Sequence, residues 1–162
     1  MTDDELMELA LAEARTAPLH GDVPVGAVVW HDGEVIARRH NERERTGDPT
    51  AHAEILAVRD AASRLGGWRL DGATVAVTLE PCAMCAGALQ QARVARVVFG
   101  ADDPKAGALG SLYNLGADPR LNHEFEVVPW VRADDCAALL HDFFTDLRGS
   151  GAGPAGEPED RR

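Results

Sequence analysis

The sequence predicts an α/β fold, a five-stranded mixed sheet with helices on both faces. Three observations lead there. Apolar residues switch between a helical period and β-rich alternation in the order α-β-β-α-β-α-β-β-α. The 162 residues carry 45% hydrophobic side chains, enough to bury one full core and so one domain. Two groups of metal-type donors, His52-Ala53-Glu54 and Pro81-Cys82-Ala83-Met84-Cys85, each open a helix, and strand-helix junctions are where α/β sheets gather ligands.

Residues 3 to 16 read as a helix, with Leu6, Leu9, Ala10 and Ala14 on its apolar side and acids opposite. Val25 to Trp30 and Glu34 to Arg38 read as strands, joined by the short His31-Asp32-Gly33 turn that suits a hairpin. A second helix is expected from about Ala51 to Leu65 with Thr50 as its cap. Ile55, Val58, Ala62 and Leu65 line one side, and Gly66-Gly67 stops it. Ala73 to Leu79 is a β-rich strand that delivers the chain to Pro81 and the cysteine helix. Val94 to Gly100 and Glu124 to Val131 supply the last strands. Asp134 to about Leu147 closes as a helix in which Cys136, Leu140, Phe143 and Leu147 recur at helical spacing. Between Ala101 and Asn122 a stretch containing Gly and Asp shows no clear periodicity, and its Leu109, Leu112, Tyr113 and Leu115 suit a lid or an interface. Residues 1–148 form the expected domain, and 149–162, rich in Gly, Pro and Glu, a disordered tail.

His52, Cys82 and Cys85 are three zinc donors, one short of the four that close a structural site. The remaining position admits water, whose pKa zinc lowers from about 16 to about 7. With Thr50 as cap, His52 and Glu54 stand roughly 200° apart at about 100° per residue, so Glu54 is a poor co-ligand and a well-placed proton carrier. Cys82 and Cys85, three apart, share one helical face in the first turn, where the positive end of the helix dipole favours thiolate. A C-x-x-C pair taken alone also fits a redox couple or half of a four-cysteine site. Only one other cysteine exists, too few for four. Cys136 reads as a core thiol and Met84 as packing.

No apolar run approaches the roughly 20 residues of a membrane span, and the acidic start lacks the basic residues of a secretory signal. A cytoplasmic protein with no membrane partner is expected. Three cysteines, two of them committed to a metal, suit a reducing compartment. The formal net charge of −11 argues against binding nucleic acid through a broad basic surface. The distribution of charge softens that argument. Asp3, Asp4, Glu5, Glu8 and Glu13 crowd the first helix, whereas Arg38, Arg39, Arg43, Arg45, Arg93, Arg96 and Lys105 lie mid-chain. Those cations are either a local basic rim or solvated faces mixed with Glu42 and Glu44.

The pattern H-x-E followed by P-C-x-x-C matches the signature of zinc nucleobase deaminases. From about residue 4 to residue 148 the chain resembles the bacterial tRNA-specific adenosine deaminases, within the cytidine deaminase-like superfamily. The likeness lies in Val23-Pro24-Val25-Gly26-Ala27, Asn41, Asp48-Pro49-Thr50-Ala51-His52-Ala53-Glu54, Leu79-Glu80-Pro81-Cys82 and Met84-Cys85-Ala86-Gly87-Ala88. It continues through Phe99-Gly100-Ala101, Gly110-Ser111-Leu112, Asn122-His123 and Asp142-Phe143-Phe144. The stretch from Phe99 to His123 separates this subfamily from relatives acting on free bases and nucleosides.

The resemblance implies the superfamily's three-layer fold and hydrolytic conversion of the wobble adenosine of a tRNA anticodon to inosine. It makes His52, Cys82 and Cys85 the ligands of one zinc per subunit and Glu54 the proton shuttle. Asn41 would hydrogen-bond the flipped base, with Val25 and Ala53 lining its pocket. Asp103, Lys105, Asn122 and His123 would contact the anticodon loop, with Phe143, Phe144 and Arg148 as further candidates or core. The partners implied are a tRNA anticodon stem-loop and a second copy in a homodimer. One departure from the family pattern is Asp22, where a Glu commonly precedes Val-Pro-Val-Gly. Two other functions share parts of the signature: a free-base purine deaminase acting on guanine, and a zinc-stabilised RNA-binding module without catalysis.

Overall fold

A computed structural model describes residues 1–150. The first helix, α1, spans Asp3–Ala14 and begins with a capping box. Thr2 Oγ1 accepts the Glu5 N–H at 3.1 Å, and the Glu5 carboxylate accepts the Thr2 N–H at 2.8 Å. It ends two residues before the expected end, and a 3₁₀ turn containing Pro18 follows at Ala17–His20. Strands β1 (Gly26–His31) and β2 (Glu34–His40) form the expected hairpin, closed by Asp32-Gly33 with both residues at positive φ. β2 runs two residues past the expected end, because His40 still pairs with Gly26.

A four-residue helix, α2 (Arg43–Thr46), had no sequence signal. Its first turn is fixed from a distance by the buried Asp22 carboxylate, which accepts the Glu44 and Arg45 N–H groups at 2.8 and 3.1 Å. α3 covers Ala53–Leu65 and stops at Gly66, as expected, but its cap is His52 and not Thr50. Thr50 is drawn into a separate turn instead, where its N–H and hydroxyl both donate to Asp48 Oδ1 at 2.8 Å. β3 (Thr74–Leu79) leads into α4 (Ala83–Gln91), followed by β4 (Arg96–Ala101), β5 (Glu126–Val128) and α5 (Ala133–Ser150). β5 is shorter than expected because Pro129 follows it, and Trp130 and Arg132 both take positive φ. Residues 149 and 150 belong to α5 and not to a tail. The rest of the expected tail, 151–162, lies outside the described residues.

The sheet order is β2-β1-β3-β4-β5, with β1 antiparallel to both neighbours and β3, β4 and β5 mutually parallel. Ala27 pairs with Val77 and Val77 with Phe99, so Gly26, Thr78 and Gly100 stand in one row and face one way. A Cβ at Gly26 would collide with Ala10 of α1, and one at Gly100 with the Cys136 thiol of α5. Those two helices therefore seat closely on one face. The opposite face carries α3, packed on β1 and β2, and α4, which touches α3. The core between the layers includes Val28, Val75, Val77, Val98, Phe99 and Leu89, all at most 2% exposed. Because α3 and α4 both begin at the same end of the sheet, their N-termini meet.

Candidate active site

His52 caps α3, and Cys82 caps α4 with Cys85 three residues on. Both caps are extended, at φ −73° and −75°, which turns the side chains back toward each other. His52 Nδ1 lies 3.6 Å from Cys82 Sγ and 3.3 Å from Cys85 Sγ. The three ligand atoms lie within 4.8 Å of one another, and among the described residues they are the one such group of His, Cys, Asp and Glu. Two sulfurs and an imidazole nitrogen at that separation can share an ion at the usual zinc bond lengths of about 2.0 to 2.3 Å. Glu54, the second residue of α3, is fully buried and is not part of the group. With His52 outside the helix, the angular argument from Thr50 lapses, and Glu54, two residues after His52, is not one of the three clustered ligands.

Asn41 follows β2 and is 1% exposed. Its Oδ1 accepts the Ala53 N–H at 2.8 Å, and its own N–H donates to the Val25 carbonyl at 3.1 Å. Asn41, Val25 and Ala53 are thus one cluster, joined to the metal-type triad through the Ala53–His52 peptide. Asn41 Nδ2 is buried without a hydrogen-bond partner among the described residues. A buried donor left over is costly unless a ligand takes it.

The loop residues fall in two places. Asp103 is 1% exposed, and its Oδ1 accepts the Lys105 and Ala106 N–H groups at 3.2 Å, forming the turn that leaves Lys105 on the surface. Asn122 and His123 stand at the other end of α4. Asn122 accepts from Gln90 Nε2 at 2.8 Å, and His123 Nε2 donates to the Val94 carbonyl at 2.7 Å. A nine-residue helix separates them from the triad, on the order of 13 Å. Phe143 and Phe144 meet edge to face at 5.3 Å, half-buried. Phe144 and Arg148 border a cavity of about 250 Å³ with Leu140, His141 and Asp102. Cys136 is a core thiol, its pKa pushed up to about 12, chiefly by burial and further by nearby Asp135.

Asp22, the departure from the family pattern, is buried. Besides capping α2 it accepts from His20 Nδ1 at 2.6 Å, and His20 Nε2 meets His40 Nε2 at 3.1 Å. This network secures the end of β2 beside Asn41. Sequence reasoning quoted Glu80 within the family likeness but gave it no role; its signal was a carboxylate directly after a β-rich strand. It is fully buried and accepts N–H groups from Asp103, Leu109 and Ser111.

A histidine and two cysteines on paired helix starts, with a buried glutamate two residues after the histidine, define a metal-dependent hydrolytic deaminase on a cytidine deaminase-like fold. Residues 1–148 match the MafB19-like deaminase family. The chain is 52% identical to a tRNA-specific adenosine deaminase of Bacillus subtilis, over 91% of its own length and 92% of the relative's. It superposes with TM-score 0.81 and 46% identity on a solved tRNA:A34 deaminase described for A-to-I editing at the wobble position, covering 84% of this chain and 99% of that one. A guanine deaminase structure from Bacillus subtilis matches less well, at TM-score 0.61 and 36% identity over 63% of this chain and 66% of that one. The chain belongs to the MafB19-like deaminases and, within them, groups with the tRNA-specific adenosine deaminases.

Proposed function

We propose that the protein hydrolyses the exocyclic amine of the wobble adenosine in a tRNA anticodon loop, consuming one water, releasing ammonia and leaving inosine. The observation that carries this reading is the convergence of His52 Nδ1, Cys82 Sγ and Cys85 Sγ beside buried Glu54. Similarity to relatives named for the reaction supports it.

His52 and the two thiolates fit one zinc per chain, which when bound supplies a water of pKa near 7 as nucleophile. Glu54, shielded from bulk water, takes up the proton that water gives and passes protons to a ring nitrogen and then to the departing amine. Asn41 Nδ2 donates to an acceptor on the edge of the flipped base, while Val25 and Ala53 wall its pocket. Lys105 meets the anticodon loop from a turn shaped by Asp103. Asn122 and His123, a helix length away, contact nucleotides further along the stem-loop.

The protein acts as a homodimer. Leu112 and Tyr113 are 53% and 59% exposed on the loop beside the triad, Met84 on α4 adds to that surface, and burying them against a second copy removes an apolar patch. No described helix is long and apolar enough to cross a membrane, and we place the reaction in the cytoplasm, where tRNA is at hand.

Zinc-loaded protein incubated with an anticodon stem-loop, free adenosine and free guanine tests the reading. Inosine at the wobble position, formed far faster than from adenosine, is expected because loop contacts supply binding energy the nucleoside lacks. Rapid turnover of guanine with an untouched stem-loop would replace it with the free-base reading. Light scattering at micromolar concentration should give twice the chain mass.

A further inference from the structure

The strand end that leads to the cysteine helix holds a carboxylate with four donors on it. Glu80 is fully buried between Leu79 and Pro81. Its Oε1 accepts the Asp103 N–H at 3.1 Å and the Ser111 hydroxyl in a close contact, and its Oε2 accepts the Leu109 and Ser111 N–H groups, both at 3.0 Å. The same loop touches the metal-bearing turn twice more. Ala108 N–H donates to the Pro81 carbonyl at 2.8 Å, and Gly107 pairs with Cys82 as an isolated bridge. Gly107 lies against the Glu80 carboxyl so closely that a Cβ there would collide with it.

We propose that Glu80 is a positioning residue for RNA. It locks the loop from Asp103 to Ser111, and with it Lys105, at a fixed place relative to the metal-type triad. It thereby sets the preference for an anticodon stem-loop over a free nucleoside. The inference rests on the substrate reading above. Each oxygen of the carboxylate already takes two donors, so the site is built for an acceptor-only group. A glutamine would aim its own N–H bonds at two donors and leave at least one buried N–H unpaired, whichever way it turned. Asp103 folds the turn internally through Lys105 and Ala106, and the Glu80 side chain ties that turn to the end of β3, beside the backbone contacts of Gly107 and Ala108 with Cys82 and Pro81. Loosening it leaves the ligand set intact and lets the RNA-facing loop drift, a loss of binding more than of chemistry.

The test compares zinc-loaded wild type, Glu80→Gln, Gly107→Ala and the double variant. The readouts are metal content, kcat and KM on a stem-loop, and kcat/KM on free adenosine. Each single variant should keep about one zinc per chain and raise the stem-loop KM about tenfold, with kcat changed less than about threefold and adenosine less than about threefold. Both perturb the same carboxylate contact, so the double variant should add little to Glu80→Gln. Should Glu80→Gln fail to fold, Gly107→Ala and Ser111→Ala carry the test, the latter with a severalfold rise in KM. Equal losses on both substrates, loss of zinc, or additive effects in the double variant would overturn the proposal. A wild type inactive on the stem-loop would refute the substrate reading itself. A wild type that is active there, with KM unmoved in the variants, would overturn only the role of Glu80.

Discussion

Replacing Asn41 with alanine removes two interactions that can be measured separately. Its Oδ1 accepts the N–H of Ala53, the first residue of α3, at 2.8 Å in a place 1% exposed. Without it that N–H is buried and unpaired, which costs about 1 to 3 kcal/mol. At roughly 2 to 4 °C per kcal/mol for a domain of this size, melting should fall by a few degrees and by no more than about 12 °C. The Nδ2 has no hydrogen-bond partner among the described residues, so its loss shows with substrate. A base acceptor deprived of that donor costs about 1.4 to 3 kcal/mol, a factor of roughly ten to a hundred and fifty in kcat/KM. Calorimetry gives the first number, and initial rates on a stem-loop well below the variant's melting range give the second. A lowered melting temperature with kcat/KM within about twofold of wild type would refute the second role and leave Asn41 as an anchor for α3.

Glu54→Gln should retain its zinc and fold while losing on the order of a hundred- to ten-thousandfold in rate, because an amide keeps the shape but cannot cycle a proton. Loss of metal by elemental analysis would instead make Glu54 a ligand. Cys82→Ala should lose both zinc and thermal stability, since metal binding contributes folding energy directly, and stripping wild type with a chelator should lower its melting point in the same way. A metal-free and fully active protein would exclude the site as built. At low pH the pair of Asp3 and Arg96 comes into play. Hydrogen bonds of 2.6 and 2.7 Å from the guanidinium, with its charge, hold the Asp3 carboxyl below its usual range against the opposing effect of burial. A depressed folded-state pKa stabilises fully above the unfolded value of 3.8 and is lost as pH falls through the folded one. Melting of the wild type should therefore drop below pH 4 by more than that of Asp3→Asn, the pair contributing about 1 kcal/mol at neutral pH. Parallel acid curves would show that the pair contributes nothing.

Where the chain's own period carried the information, the fold was legible. The hairpin and α3 with its Gly66 stop stand within a residue or two of their expected bounds, and a helix opens at Cys82 as expected. Elements fixed by distant partners were not legible. α2 has four residues, too few to show a period, and depends on a carboxylate more than twenty residues upstream. Thr50 looked like a cap because it precedes an apolar run, but Asp48 competes for it locally, and His52 takes the position. The triad itself was readable, since spacing brings donors to two helix starts. The order of the stretch after Ala101 was not, because it comes from Glu80 and Asp103, buried acids that no periodicity marks.

The ion pairs of the mid-chain arginines bear on their two readings. Arg38 sits 3.9 Å from Glu13, Arg39 is 2.9 Å from both Asp60 and Glu42, Arg45 is 3.7 Å from Glu42, and Arg96 grips Asp3. Arg93 lies over the Trp68 ring at 6.0 Å and donates to the Gln90 carbonyl. Four of these five arginines pair with a carboxylate of the chain, which on a molecule of net charge −11 supports the reading as solvated faces over a phosphate-binding rim. On the function proposed above, recognition of an anticodon loop would rest on splayed bases entering polar pockets such as that of Asn41, with few phosphates engaged. Each phosphate neutralised on a single strand adds about −0.7 to the slope of log K against log salt, so a slope no steeper than about −2 is expected. A slope near −5 would require several of these arginines to leave their carboxylates for the RNA, and the base-reading account would fall with it.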